Sequence, residues 1–247
     1  MNLYISNGLI VDAANKLSSL GSLVIEDGII REISLYQNGR PGPETAPPPE
    51  GAVILDAGGK WVVPGLIDIH VHLREPGFEY KEDIASGCVG AAKGGFTTIC
   101  CMPNTEPVID SSYVVLMIDS RAKEGNGVQV LSIGAMTKGQ EGKELADYEA
   151  MVRTGTNSAL LAGRGICGVS EDGKTVADGE LMRAAMKRAK ELDLTVFSHA
   201  EPEAEIVERD LAMAEAVGCK LHFCHVSEKR SIELIREAKG RGVPVTA

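Results

Sequence analysis

From Trp61 onward one pattern repeats to the end of the chain: an apolar run of strand length, a loop, then a helical stretch. The strand-like runs are 61–70, 97–102, 128–133, 160–169, 194–199, 221–225 and 243–247. Helical stretches fill 81–93, 112–123, 144–153, 179–191, 203–217 and 228–239, and Gly94-Gly95, Gly125 and Gly218 fall where helices end. Alternating β and α over this length dictates parallel strands with right-handed crossovers. The expectation is a TIM-type (β/α)8 barrel over residues 57–247, incomplete as given, because about seven of its eight strands can be counted.

Residues 1–56 follow a different rule. Short apolar segments at 3–5, 9–11, 23–25 and 29–33 are broken by Asn7-Gly8 and Asp27-Gly28, both hairpin signals. They predict a small N-terminal β domain. A Pro- and Gly-rich loop at 40–51 and one more short strand at 53–55 lead into the repeating region.

A barrel of this kind keeps its chemistry at the C-terminal ends of its strands. His70 and His72 stand near the end of the first apolar run, two residues apart, so both imidazoles can face one point. Alone, such a pair is as easily two surface histidines. His199 and His225 end the fifth and sixth runs, however, while His222 has the opposite parity from His225 and reads as packing. Four of five histidines at strand ends point to a metal site, since imidazole suits zinc and other borderline metals. Two pairs at separate strand ends suggest two ions and a bridging anion, and the acidic turn 168–173, after the fourth run, can supply it.

The stretch PGLIDIHVHLREPGFEYKED at 64–83, with MPNT at 102–105, resembles the signature of class I dihydroorotases in the amidohydrolase superfamily. The resemblance implies a metal-dependent hydrolase with ligands His70, His72, Asp172, His199 and His225 and one or two zinc ions per subunit. Asp172 matches the second acid of a Ser-Asp-Asp-Gly segment. No lysine lies between Arg153 and Asp172, which excludes the carboxylated-lysine variant seen in hydantoinases. Arg74 and Asn104 match the residues that hold a substrate carboxylate, a task suited to a guanidinium fork and an amide donor. The implied reaction is the reversible cyclisation of N-carbamoyl-L-aspartate to L-dihydroorotate, a step of pyrimidine synthesis. Its proton-handling aspartate follows strand eight and would lie beyond Ala247, leaving the catalytic residue unassigned.

The chain departs from that pattern in stopping on the seventh strand and in its short 25-residue connection between His199 and His225. Two explanations stand: the sequence is part of a longer one, or it is truly short. The alternatives to a dihydroorotase are another cyclic amidohydrolase such as allantoinase, and an inactive dihydroorotase-like partner of aspartate carbamoyltransferase. A homodimer is the family-level expectation. The net charge of −10 argues against a nucleic-acid binder. No apolar run reaches the ~18 residues of a membrane span, and the N-terminus lacks a basic start and a cleavage site. The six cysteines show no C-x-x-C spacing. The chain therefore reads as a cytoplasmic protein with reduced thiols.

Overall fold

The computed structural model describes residues 2–124, 127–156 and 158–247. The chain divides into two compact units after Gly65. In the first, strands β1 (Leu3–Asp12), β2 (Leu17–Glu26), β3 (Ile29–Leu35), β4 (Val53–Asp56) and β5 (Trp61–Val62) form one sheet. β2 pairs antiparallel with β1 and β3, while β4 and β5 run parallel to β1. Asp27 and Gly28 both take positive φ, 51° and 77°, as the tight β2–β3 turn requires. Asn7-Gly8 is not the hairpin turn that the sequence suggests. It is a bulge inside β1, where the register with β2 shifts between Ile5 and Gly8. The alternative won because β1 is paired on both sides of the bulge, and a Cβ on Gly8 would lie 2.5 Å from Val62 Cγ2.

The second unit is a sheet of seven parallel strands in chain order: β6 (Leu66–Val71), β7 (Phe96–Cys101), β8 (Gln129–Ala135), β9 (Ile166–Ser170), β10 (Thr195–Ser198), β11 (Lys220–Phe223) and β12 (Val245–Thr246). Helices α1 (Ile84–Lys93), α2 (Ser112–Ala122), α3 (Tyr148–Arg153), α4 (Gly179–Glu191), α5 (Glu203–Val217) and α6 (Lys229–Gly240) link them. α4 shows why such a segment is helical. Asp178 caps it by accepting from Glu180 N and Leu181 N, and Met182, Ala185, Met186 and Ala189 repeat on one buried face. Gly218 ends α5 in the left-handed conformation, as its position predicts, while Gly125 lies outside the described residues.

The sheet curls. Cys100 and Met102 at β7 share one apolar cluster with Leu131, Ile133, Phe197 and Cys224. In a flat sheet, four strand spacings would set β7 roughly 19 Å from β11. A second, larger core fills the space between sheet and helices, with Ile99, Val169, Val196 and Leu221 on its sheet side and Met186, Val207 and Ile235 on its helix side. This is the barrel architecture expected from the sequence.

Two strand boundaries differ from expectation. The run 61–70 is two strands, β5 in the small sheet and β6 in the barrel sheet. Pro64 between them has no N–H to give a ladder. The run 160–169 contributes only Ile166–Ser170, preceded by a 3-10 turn at Ala159–Leu161. Gly163 at φ 82° and Gly165, whose Cβ would sit 2.2 Å from Met151 O, bend the chain there. All six cysteines are free thiols, and all but Cys167 are buried.

Candidate metal centre

The C-terminal ends of β6, β9, β10 and β11 converge on one carboxylate. Asp172, two residues past β9 and only 4% exposed, lies among four imidazoles. His70 Nε2 is 3.3 Å and His199 Nδ1 and His225 Nε2 are each 3.7 Å from its Oδ1, while His72 Nε2 is 3.5 Å from its Oδ2. His199 Nδ1 and His225 Nε2 are 3.1 Å apart. All five residues that the sequence proposes as ligands therefore come together. His222 does not join them: its Nδ1 pairs with Thr246 Oγ1 at 2.8 Å and its ring meets Phe197 edge-on.

The turn that presents Asp172 is held from several sides. Ser170 Oγ donates to Phe197 O (3.0 Å) and accepts from Asp172 N (3.1 Å). Gln140 Nε2 donates to Asp172 O at 3.2 Å. Glu171, 2% exposed, points away from the imidazoles to accept from Thr137 N (3.1 Å) and Thr137 Oγ1. Thr137 and Gln140 were not found by sequence reasoning, and Glu171 was read only as part of the acidic turn 168–173. The available signal was their position, in the loop after β8 and beside Asp172 at strand C-terminal ends.

Electrostatics favour an ionised Asp172. Burial raises its carboxyl, but the hydrogen bond from His70 and the charges of His70, His72 and His199 outweigh that and hold it below the usual carboxylate value. Glu171 goes the other way: burial raises it despite the Thr137 bonds. His72 is lowered, chiefly by burial and further by the nearby Arg74 charge, against the opposing pull of Asn104 and Asp172.

Asn104 does more than its sequence suggested. Its Oδ1 pairs with His72 Nδ1 at 3.0 Å, and its Nδ2 donates to Asp172 Oδ2 at 3.1 Å. An amide oxygen only accepts, so the first contact calls for the proton on Nδ1, the tautomer whose Nε2 can bind a metal. Arg74 has φ 63°, and among the described residues its guanidinium makes no hydrogen bond or ion pair. The loops carrying these two residues are joined by Glu106 N donating to Pro76 O (2.9 Å). Their approach is so close at Gly77, φ 96°, that a Cβ would lie 2.2 Å from Glu106 O.

The donor set fits a divalent ion. Bonds of about 2.0–2.1 Å in tetrahedral geometry put donor atoms roughly 3.3 Å apart. The 3.1–3.7 Å separations around Asp172 bracket that value. Ligand atoms of His70, Asp172 and His225 all lie within 4.8 Å of one another.

The model of a family described as dihydro-orotase-like matches residues 59–204. Proteins named dihydroorotase from Trichlorobacter lovleyi and Syntrophobacter fumaroxidans are each 39% identical over the whole of this chain, which covers 60% and 59% of their lengths. The chain thus spans about three-fifths of the curated relatives it matches. Among solved structures, L-hydantoinase from Arthrobacter aurescens superposes with a TM-score of 0.75 at 19% identity, covering 98% of this chain and 57% of that one. D-hydantoinase from Thermus sp. gives 0.73 at 26% identity, with 98% and 56% covered.

Proposed function

This chain belongs to the dihydro-orotase-like family, and from that premise we propose that it carries the metal-dependent site of a dihydroorotase, interconverting N-carbamoyl-L-aspartate and L-dihydroorotate. The observation that carries the reading is the convergence of four imidazoles on Asp172 at the C-terminal ends of four strands.

In this reading His70, His72, Asp172, His199 and His225 would hold one or two zinc ions. Zinc, when bound, supplies Lewis acidity at an amide carbonyl and lowers the pKa of water to about 7. Asp172, kept ionised, gives the site its negative charge. Asn104 fixes the tautomer of His72 and orients Asp172. Arg74 is available to take the substrate carboxylate in a two-donor fork, and the Asn104 amide is proposed as a further donor to it. A cleft of about 420 Å³ opens beside His199 and His225, lined also by Glu201, Pro202 and Glu228. No described residue is assigned to proton transfer at the leaving nitrogen.

No helix among the described residues is long and apolar enough to cross a membrane. A cytoplasmic setting, a homodimer and association with aspartate carbamoyltransferase are further proposals, made on the resemblance.

The test is parallel incubation of the zinc-loaded chain with dihydroorotate, allantoin and hydantoin. Turnover of dihydroorotate is expected. Turnover of allantoin alone would replace the reading with another cyclic amidohydrolase. Failure to take up zinc would favour the inactive partner.

A further inference from the structure

His225 is the least secured of the four histidines: its side chain is half-exposed and its backbone is left-handed, φ 38°. A residue with a Cβ pays for that conformation, so the flanking structure has to impose it. Upstream, Cys224 N donates to Ser198 O at 3.1 Å. Downstream, α6 begins at Lys229, and its N-cap residue Glu228 makes no side-chain cap bond. The donors exposed there go instead to a carboxylate on another helix. Glu203, the first residue of α5, accepts from Ser227 N (3.2 and 3.0 Å), Ser227 Oγ (2.7 Å) and Glu228 N (2.8 Å). The Ser227 hydroxyl donates to Glu203, and the N-cap position of α6 falls on Glu228.

We propose that Glu203 is a positioning residue that caps α6 from α5 and thereby locks the turn carrying His225 against the turn carrying His199. This rests on the reading of both histidines as metal ligands. The short connection makes it feasible: only three residues separate His199 from Glu203, so one carboxylate ties the two ligand-bearing turns together. What it fixes is the 3.1 Å separation of His199 Nδ1 and His225 Nε2. Burial pushes the Glu203 carboxyl up, but the donors of Ser227, Ser231 and Glu228 bring it down to about 2, so it accepts as an anion at neutral pH.

The experiment compares wild type, Glu203→Ala, Glu203→Gln and Ser227→Ala by zinc competition against a chelator, and by amide exchange at Ser227 and Glu228. Asp147→Ala serves as the control. It removes the Asp147 cap of α3 at Ala150 N, a bond that touches none of the four histidines, and is expected to lower thermal stability. Loss of an outer-shell partner weakens metal affinity by about 10–100-fold. That loss is expected for Glu203→Ala and Glu203→Gln, with faster exchange at both amides, a smaller loss for Ser227→Ala, and none for Asp147→Ala. Glu203 variants that bind zinc as tightly as a zinc-binding wild type would overturn the inference and leave the metal reading intact. Equal weakening in Asp147→Ala would also overturn it, by showing general destabilisation. A wild-type chain that takes up no zinc would contradict the metal reading, and the inference would fall with it.

Discussion

Asn104→Ala removes two contacts that bind the centre together. One is a donor to an ionised carboxylate, Asn104 Nδ2 to Asp172 Oδ2 at 3.1 Å, and such bonds contribute about 1.5–3 kcal/mol. The other, to His72 Nδ1 at 3.0 Å, is between neutral groups and contributes about 1 kcal/mol. The His72 side chain is 29% exposed, so water recovers part of the second. The metal-free variant should therefore lose about 2 kcal/mol, read as a lower urea midpoint at unchanged slope. Zinc affinity should fall about 10–100-fold, because the His72 tautomer and the Asp172 orientation are both released. Asn104→Asp is the sharper variant. Two carboxylates this close repel by about 5 kcal/mol at an effective dielectric of 20, so one of them takes up a proton and zinc binding becomes more steeply pH-dependent. An Asn104→Ala chain with wild-type urea midpoint and wild-type zinc affinity would refute this reasoning. If its only defect were a raised KM for substrate, Asn104 would be a substrate contact and nothing more.

Asp172→Asn, which removes the charge among the four imidazoles, should lower zinc affinity more than 100-fold, on the order of 3 kcal/mol, measured by chelator competition. Zinc affinity should also fall at acid pH, because a ligating imidazole must be neutral to bind; titration calorimetry between about pH 5.5 and 7.5 reads this. In the metal-free chain His72 is lowered in the fold, so the unfolded state binds its proton more readily. Stability should decline as pH falls through the unfolded value near 6.5, a slope that His72→Gln reduces in urea titrations. Gly77→Ala should cost about 2–4 kcal/mol, from the left-handed backbone and the 2.2 Å approach to Glu106 O, and is read by thermal unfolding.

The barrel and the gathering of four histidines at its rim were legible in local spacing, while Asp172 was reached through the resemblance. Apolar runs of strand length alternate with helices such as α4, and histidines at strand ends must share one rim. What was not legible depends on contacts distant in sequence. Glu171 and Thr137 are 34 residues apart and meet only because β8 and β9 are neighbours. Asn104 and Asp172 are separated by 68 residues, so nothing local announces that Asn104 bonds to Asp172. The Asn7-Gly8 bulge misled for a related reason: the dipeptide supplies positive φ, but a hairpin turn and a bulge both use it, and strand pairing chose between them.

The central claim is that His70, His72, Asp172, His199 and His225 are metal ligands, and anomalous diffraction at the zinc edge from zinc-loaded crystals tests it most directly. The account predicts density at about 2.0–2.2 Å from Nε2 of His70, Nε2 of His72 and a carboxylate oxygen of Asp172, with a second ion near His199 and His225. Zinc found only at exposed surface side chains, with nothing between Asp172 and the imidazoles, would contradict it.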